Sequence, residues 1–323
     1  MSKYEKAPID FSGLHTVGLE ERGGKVNTGN FATLYRKGSG LAGWLASLPH
    51  ILAGDSFRHV LQAISSARRH RRGLVWALGG HVIKCGLAPV LIDVMRRGYV
   101  TAFALNGAAA IHDFEIALAG HTSEDVEAAL PDGRFGVADE TGSEMNRAIC
   151  AGDQASLGIG EALGDWLNRA SALKHGESSL LLQAYRQAIP VTVHVAIGTD
   201  TPHIHPAAHG AAIGSATHRD FRLFSAYLAD LDRGGVYLNC GSAVVLPEVF
   251  LKAVSAVRNL GYPLTQFTTV NLDFWQHYRP RVNVIERPHA TGHGALRGTG
   301  YSLTGHHELM LPLLAAALIE TEA

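Results

Sequence analysis

Ile189-Pro-Val-Thr-Val-His-Val-Ala-Ile197 followed by Gly198-Thr-Asp-Thr-Pro-His-Ile-His-Pro-Ala-Ala-His-Gly-Ala-Ala-Ile-Gly214 decides the fold. The first run is apolar and β-branched and predicts a buried strand. The second is a loop of small residues carrying Thr199, Asp200, His203, His205 and His209. In an open α/β sheet, ligands bind where loops leave the carboxyl ends of the strands. The loop is therefore the first candidate site.

Upstream, Gly73–Leu78 predicts a strand, Gly79-Gly-His-Val-Ile-Lys-Cys-Gly86 a turn, and a helix continues to about Arg97. Tyr99–Leu105 predicts the next strand, ending in Asn106-Gly107, with a helix from about His112 to Ala119. Residues 121–180 read as a mostly helical insertion with Gly- and acid-rich loops. Downstream come a helix over Asp220–Leu231, a strand at Gly235–Asn239 and a helix over Pro247–Leu260 with proline in its first turn. Strands at Thr265–Leu272 and Val282–Glu286 and a closing helix over Glu308–Glu320 complete the pattern. Before the α/β region, Leu41–Leu48 and Ser56–Arg69 have helical spacing. Strands alternating with helices predict a doubly wound, mostly parallel, Rossmann-like sheet. One domain over 41–323, preceded by an arm over 1–40, is the expected organisation.

Composition narrows the function classes. Of 323 residues 46% are hydrophobic and 18% charged, and the net charge is −1, so nothing marks a nucleic-acid partner. The basic run Arg68–Arg72 closes a predicted helix, where cations suit the dipole. Three cysteines without paired spacing fit a reducing compartment. With neither an apolar signal core nor a membrane-length apolar run, a cytoplasmic protein that binds a small molecule is expected.

Small residues at three strand ends suit a dinucleotide: Gly80 and Cys85, Asn106 and Gly107, and Gly241 and Ser242. None forms a GxGxxG fingerprint. Cys85 falls in a predicted first helical turn, and His112-Asp113 opens a helix as caps or as chemistry. Most of the 18 histidines lie in loops after predicted strands. His203 and His205, two apart, lie on one side of an extended chain and with His209 form a possible metal set. His306-His307-Glu308 forms another.

The ordered set resembles the deoxyhypusine synthase family over about residues 70–320. Asn106-Gly-Ala108 with His112-Asp113 resembles the family's AGG and following acidic residues. Ile189-Pro-Val191 leading to Gly198-Thr-Asp200 resembles its IPV strand and TDGS loop, and Gly241-Ser-Ala-Val-Val245 its glycine triplet. Arg287-Pro288 resembles its ARP and Pro312-Leu-Leu314 its FPLLV. The resemblance implies a Rossmann-like homotetramer with NAD bound across the strand ends, where Gly107, Thr199, Asp200 and Gly241 match the family's motifs and Gly80 and Cys85 stand at positions that are serines in the family. It also implies oxidative transfer of an aminobutyl group from spermidine.

The family's catalytic lysine is missing. His293-Gly-Ala295 stands at its WGK motif, and the last of only seven lysines is Lys252. Without that amine no covalent imine forms. The family's polyamine-binding aspartate becomes His205. The expectation is therefore an NAD-dependent enzyme with a changed substrate, less cationic than spermidine. His205 or His203 is the expected base, His112 or His293 its partner, with Asp200 and Asp113 as orienting carboxylates. Metal-dependent chemistry at the clustered histidines, and a non-catalytic binding role, are the alternatives.

Overall fold

A computed structural model of the chain describes residues 3–170, 173–290 and 296–322. Two helices, α1 (Gly40–Ser47) and α2 (Leu52–Arg69), lead into β1 (Leu74–Leu78). The short α3 (Gly80–Lys84) and α4 (Ala88–Arg96) connect to β2 (Ala102–Asn106), and α5 (Gly107–Ala119) leaves its end. Four helices follow: α6 (Val126–Ala129), α7 (Asp139–Gln154), α8 (Ile159–Arg169) and α9 (Leu180–Arg186). Then come β3 (Val191–His194), α10 (Gly210–Ala229), β4 (Gly235–Cys240), α11 (Val245–Asn259) and β5 (Phe267–Asp273). A short α12 (Tyr278–Pro280), β6 (Thr299–Thr304) and α13 (His307–Glu320) end the chain.

All six strands are parallel, in the order β3-β2-β1-β4-β5-β6. This is a doubly wound, Rossmann-like sheet, and the order reverses between β1 and β4. β1 and β4 are buried along their whole length, as parallel strands covered on both faces must be. Trp76, Phe103, Leu238 and Val270 face one layer, where Ile64 of α2, Leu91 of α4 and Phe114 of α5 pack. Val75, Ala104 and Tyr237 face the other, against Phe224 of α10 and Phe250 of α11. Tyr237 and Phe250 stack with ring centroids 3.9 Å apart. Met145, Ile149 and Leu163 of the 121–180 segment join the first of these cores. Residues 3–39 are almost wholly exposed, including Phe11, Leu34 and Tyr35.

Several expected elements are corrected. Val282–Glu286 is not a strand: Arg281–Glu286 is a π-helical turn that places Val284 in the core. The sixth strand is Thr299–Thr304, an edge strand with little apolar pattern. The turn expected at Gly79–Gly86 contains the short α3, Gly86 with φ +76° separates it from α4, and Cys85 is the C-cap of α3 rather than part of a first helical turn. Helix α5 begins at Gly107, five residues before His112, and α10 begins at Gly210 rather than Asp220. Among the described residues no helix is long and apolar enough to cross a membrane.

Candidate functional site

At the carboxyl edge of the sheet, the switch point between β1 and β4 is filled by protein. Gly79 donates its N–H to the Cys240 carbonyl at 2.9 Å, extending the ladder by one rung. A Cβ on Gly79 would stand 2.0 Å from the Gly241 carbonyl oxygen. Gly241 has φ +69°, and the His307 ring lies over it, with Nε2 2.8 Å from where a Cβ would be. Ser242 is buried, and its hydroxyl accepts the Leu246 N–H at the start of α11. Gly241 and Ser242 are thus taken up by turn and cap geometry.

The open space lies instead beyond β1 and β2. A cavity of about 260 Å³ is lined by Lys84, Ala108, His112, Glu115, Thr199 and Asp200, among others. A larger one of about 840 Å³ adjoins it through Glu115, Ser123, Glu124, Ala138 and Thr141, and reaches Glu140, Glu144 and Trp166. Gly80 lets α3 approach α5 closely: a Cβ there would meet Ala108 Cβ at 2.8 Å and the His112 ring at 3.3 Å.

His112 stands in the wall of this cavity at the head of a relay. Its Nδ1 lies 2.7 Å from Thr122 Oγ1, and the Thr122 hydroxyl donates to Glu115 Oε2. Thr141 donates to the other Glu115 oxygen at 3.1 Å. Burial works against charge on Glu115, but the hydrogen bonds from His112, Thr122 and Thr141 outweigh it and lower its pKa. Glu115 is therefore an ionised acceptor. Thr122 has one hydrogen and gives it to Glu115, so its oxygen must accept from His112 Nδ1–H. In the neutral imidazole the free lone pair is then on Nε2, which among the described residues has no hydrogen-bond partner. Glu115, Thr122 and Thr141 were not singled out from sequence. Glu115 was within reach, because i,i+3 spacing puts it on the face of His112; the two threonines come from outside α5.

Asp200 faces the same cavity from the loop after β3. Its carboxylate rests on Gly107, where a Cβ would meet Oδ2 at 2.0 Å. Oδ2 is buried and lacks a hydrogen-bond partner among the described residues, and burial pushes the carboxyl up to about 6. A buried acceptor without a donor is costly unless a ligand supplies one. Thr199 lines the cavity beside it, its hydroxyl donating to the Ala196 carbonyl. Asn106 caps α5, accepting the Ala109 N–H at 2.9 Å.

The loop histidines are not brought together. Each accepts a nearby backbone N–H through Nδ1: His203 from Gly198, His205 from Ala207, and His209 from Ala212. His205 reaches Asp139 with Nε2 at 3.4 Å, and His209 is the N-cap of α10. These rings fold the loop, and their nitrogens do not converge as one ligand set; the expected metal triad is corrected on that ground. His306-His307-Glu308 does not converge either, because His307 turns inward and lies 3.5 Å from Asp273. Asp113 is fully buried and faces away from the cavity. It accepts the Ser179 hydroxyl and the Leu180 and Leu181 N–H groups, tying α5 to the start of α9. Cys85 lies beside His81 and Glu308. His293, like the Gly294-Ala295 that follows it, lies outside the described residues.

The walls of the two cavities differ in charge. Glu115, Glu124, Glu140 and Glu144 line the larger cavity, with no lysine or arginine in its wall among the described residues, whereas Lys84 stands in the wall of the smaller one. The larger cavity therefore favours a positively charged group.

No protein-family model matches the chain, and no curated protein matches it. Among solved structures, a protein assigned to the LOR/SDH type from Methanococcus maripaludis S2 is similar at 17% identity with a TM-score of 0.51. The match covers 84% of this chain and 71% of that one. AgrE, solved in a ternary complex with ornithine and NAD+, matches at 19% identity and a TM-score of 0.48. That match covers 82% of this chain but 32% of AgrE, so the chain spans about a third of that protein's length. A protein assigned as a deoxyhypusine synthase from Entamoeba histolytica matches at 9% identity and a TM-score of 0.48, over 90% of this chain and 96% of that one. At these identities the likeness is one of fold.

Proposed function

We propose that this chain is an enzyme that uses a nicotinamide dinucleotide to oxidise or reduce a small, positively charged substrate. The observation that carries the reading is the buried, unpartnered Asp200 carboxylate oxygen in the wall of the cavity that also holds His112. In dinucleotide sites of this fold an acidic side chain accepts from a ribose hydroxyl, and Asp200 is such an acceptor without a donor. Lys84, in the same wall, suits a phosphate oxygen. A bound nicotinamide would supply the hydride acceptor or donor.

The remaining chemistry belongs to the chain. His112 Nε2 takes a proton from the substrate, and the imidazolium so formed is stabilised through Thr122 by the Glu115 carboxylate. Glu140 offers a carboxylate to the substrate's positive charge, beside Glu144, which is paired with Arg147, and Trp166 offers a ring face to its carbon skeleton. Metal-assisted chemistry at His203, His205 and His209 is not part of this reading. The exposed apolar side chains of residues 3–39 support a homo-oligomer in which the arm packs on a second copy.

The test is turnover. Purified protein is screened with NAD+ against a panel of small amines and amino acids by following NADH absorbance. Substrate-dependent NADH formation that is lost in His112→Ala supports the reading. Turnover that survives His112→Ala contradicts the role given to His112.

A further inference from the structure

A second set of reactive side chains converges at the same edge of the sheet, outside the two cavities. His81 and Cys85 are four residues apart at α3, so their side chains share one face of that turn. Glu308 comes to them from the first turn of α13, more than two hundred residues away. His81 Nε2 is 3.3 Å from Cys85 Sγ, and Cys85 Sγ is 3.8 Å from Glu308 Oε2. All three donor atoms lie within 4.8 Å of one another. Zinc bonds nitrogen and oxygen at about 2.0–2.2 Å and sulfur at about 2.3 Å, so neighbouring donors on a tetrahedron stand about 3.3–3.8 Å apart. The two contacts through Cys85 already have that spacing.

The donor types narrow the ion. One imidazole, one thiol and one carboxylate suit a borderline-soft divalent ion, whereas calcium and magnesium prefer oxygen alone. The surroundings resemble an outer shell. Glu308 Oε1 lies 3.8 Å from His306 Nδ1, and the His306 ring stacks on Phe274 at 5.8 Å. Phe274 also meets the edge of His81 at 5.9 Å, so one aromatic wall orients both histidines. Behind His81 lies His307, fully buried, with neither ring nitrogen hydrogen-bonded among the described residues. His81 and Glu308 are exposed, which leaves an entry path and a fourth position open to water.

We infer that His81, Cys85 and Glu308 form a binding site for a divalent ion of the zinc class, with water as the fourth ligand. Binding replaces the thiol proton by the metal: the Cys85 S–H bond breaks, a sulfur–metal bond forms, and one proton passes to solvent. The site is independent of the dinucleotide reading, and its occupancy is measured without substrate or NAD.

The experiment is a cobalt(II) titration of the full chain after dialysis against a chelator and then against chelator-free buffer. Saturable binding near one ion per chain is expected, with a thiolate-to-cobalt charge-transfer band that zinc abolishes by displacement. Cys85→Ser removes the band. His81→Ala and Glu308→Gln weaken binding by more than the roughly 10–100-fold that loss of an outer-shell partner costs. Cys150→Ser and His209→Ala leave the titration unchanged. Should Cys85→Ser fail to fold by circular dichroism, His81→Ala and Glu308→Gln carry the test. Absence of saturable binding, or titrations of His81→Ala and Glu308→Gln that match the unmodified protein, overturns the proposal, as does a band that persists in folded Cys85→Ser.

Discussion

Asp200 and Gly107 are in direct contact: the carboxylate lies where a side chain on Gly107 would begin, 2.0 Å from Oδ2 and 2.3 Å from Cγ. Gly107 is also the first residue of α5, so the carboxylate sits at the positive end of that helix. Ala at 107 must displace the carboxylate. Gly107→Ala is expected to cost about 1–3 kcal/mol of stability, the usual penalty for overpacking, and to weaken NAD binding. Asp200→Ala removes an unpartnered buried oxygen instead. It should leave the unfolding midpoint unchanged or raised while abolishing NAD binding. Urea denaturation and calorimetry on both variants separate the two effects, and a large loss of stability in Asp200→Ala would assign the residue to the fold alone.

The His112–Thr122–Glu115 relay predicts graded losses. His112→Ala should lower kcat by about 10²–10⁴, the range for a general base. Thr122→Val keeps the volume but breaks the link from Nδ1 to Glu115. It should lower kcat with little change in KM, because the substrate's own contacts remain. Equal kcat values for Thr122→Val and the unmodified enzyme would remove the relay from the mechanism.

Buried titratable groups set opposing pH dependences. Burial holds His194 neutral, with its pKa down at about 3, and its ring lies against Phe224. The unfolded chain takes up a proton on this histidine near 6.5, so its contribution to stability falls as pH drops from about 6.5 toward 3. Burial raises Asp113 to about 6 and Asp220 to about 7, against the hydrogen bonds each accepts. Their contributions run the other way: full at low pH, lost as pH rises through those values. His194→Gln removes only the first slope. Between pH 6.5 and 5 its stability relative to the unmodified protein should rise by about 1.5 kcal/mol, the slope growing from half of about 1.4 kcal/mol per pH unit at pH 6.5 to nearly all of it by pH 5. Denaturant titrations at the two pH values check this, and a constant difference would contradict it.

At the switch point the prediction concerns the fold. Gly79→Ala would drive a methyl group into the Gly241 carbonyl, a backbone atom held in place by the adjoining turn. A loss of more than about 3 kcal/mol, or failure to fold, is expected. Gly86→Ala is the contrast: open space surrounds Gly86, and only its φ of +76° resists substitution. Its cost should be about 1 kcal/mol. Similar midpoints for the two variants would mean that β1 and β4 are not clamped there.

Five of the six strands were legible because their runs are apolar and β-branched and sit between turn residues. Thr299–Thr304 was not, because an edge strand partly open to solvent needs little apolar pattern. Val282–Glu286 misled for the converse reason: Val282 and Val284 alternate like a strand, and a short apolar run does not distinguish strand from helix by period alone. The Gly107–Ala110 and Gly210–Gly214 stretches read as loops, but small residues also serve first helical turns packed close to a neighbour. Of the site, Asp200, Thr199 and His112 were legible as strand-end residues and line one cavity, with Gly107 against the Asp200 carboxylate. The roles of His203, His205 and His209 were not, since an imidazole accepting a backbone N–H has no spacing that separates it from a ligand. Nor was the pairing of His81 and Cys85 with Glu308, which depends on where α13 lands over the sheet.

The central claim is that the cavity beside Asp200 and His112 holds a nicotinamide dinucleotide. The most direct measurement is a calorimetric titration of NAD+ into ligand-free protein at pH 7.5, repeated with Asp200→Ala at matched stability. The account predicts saturable binding near one NAD+ per chain that disappears in the variant. No heat at several temperatures, or identical isotherms for the two proteins, would contradict it.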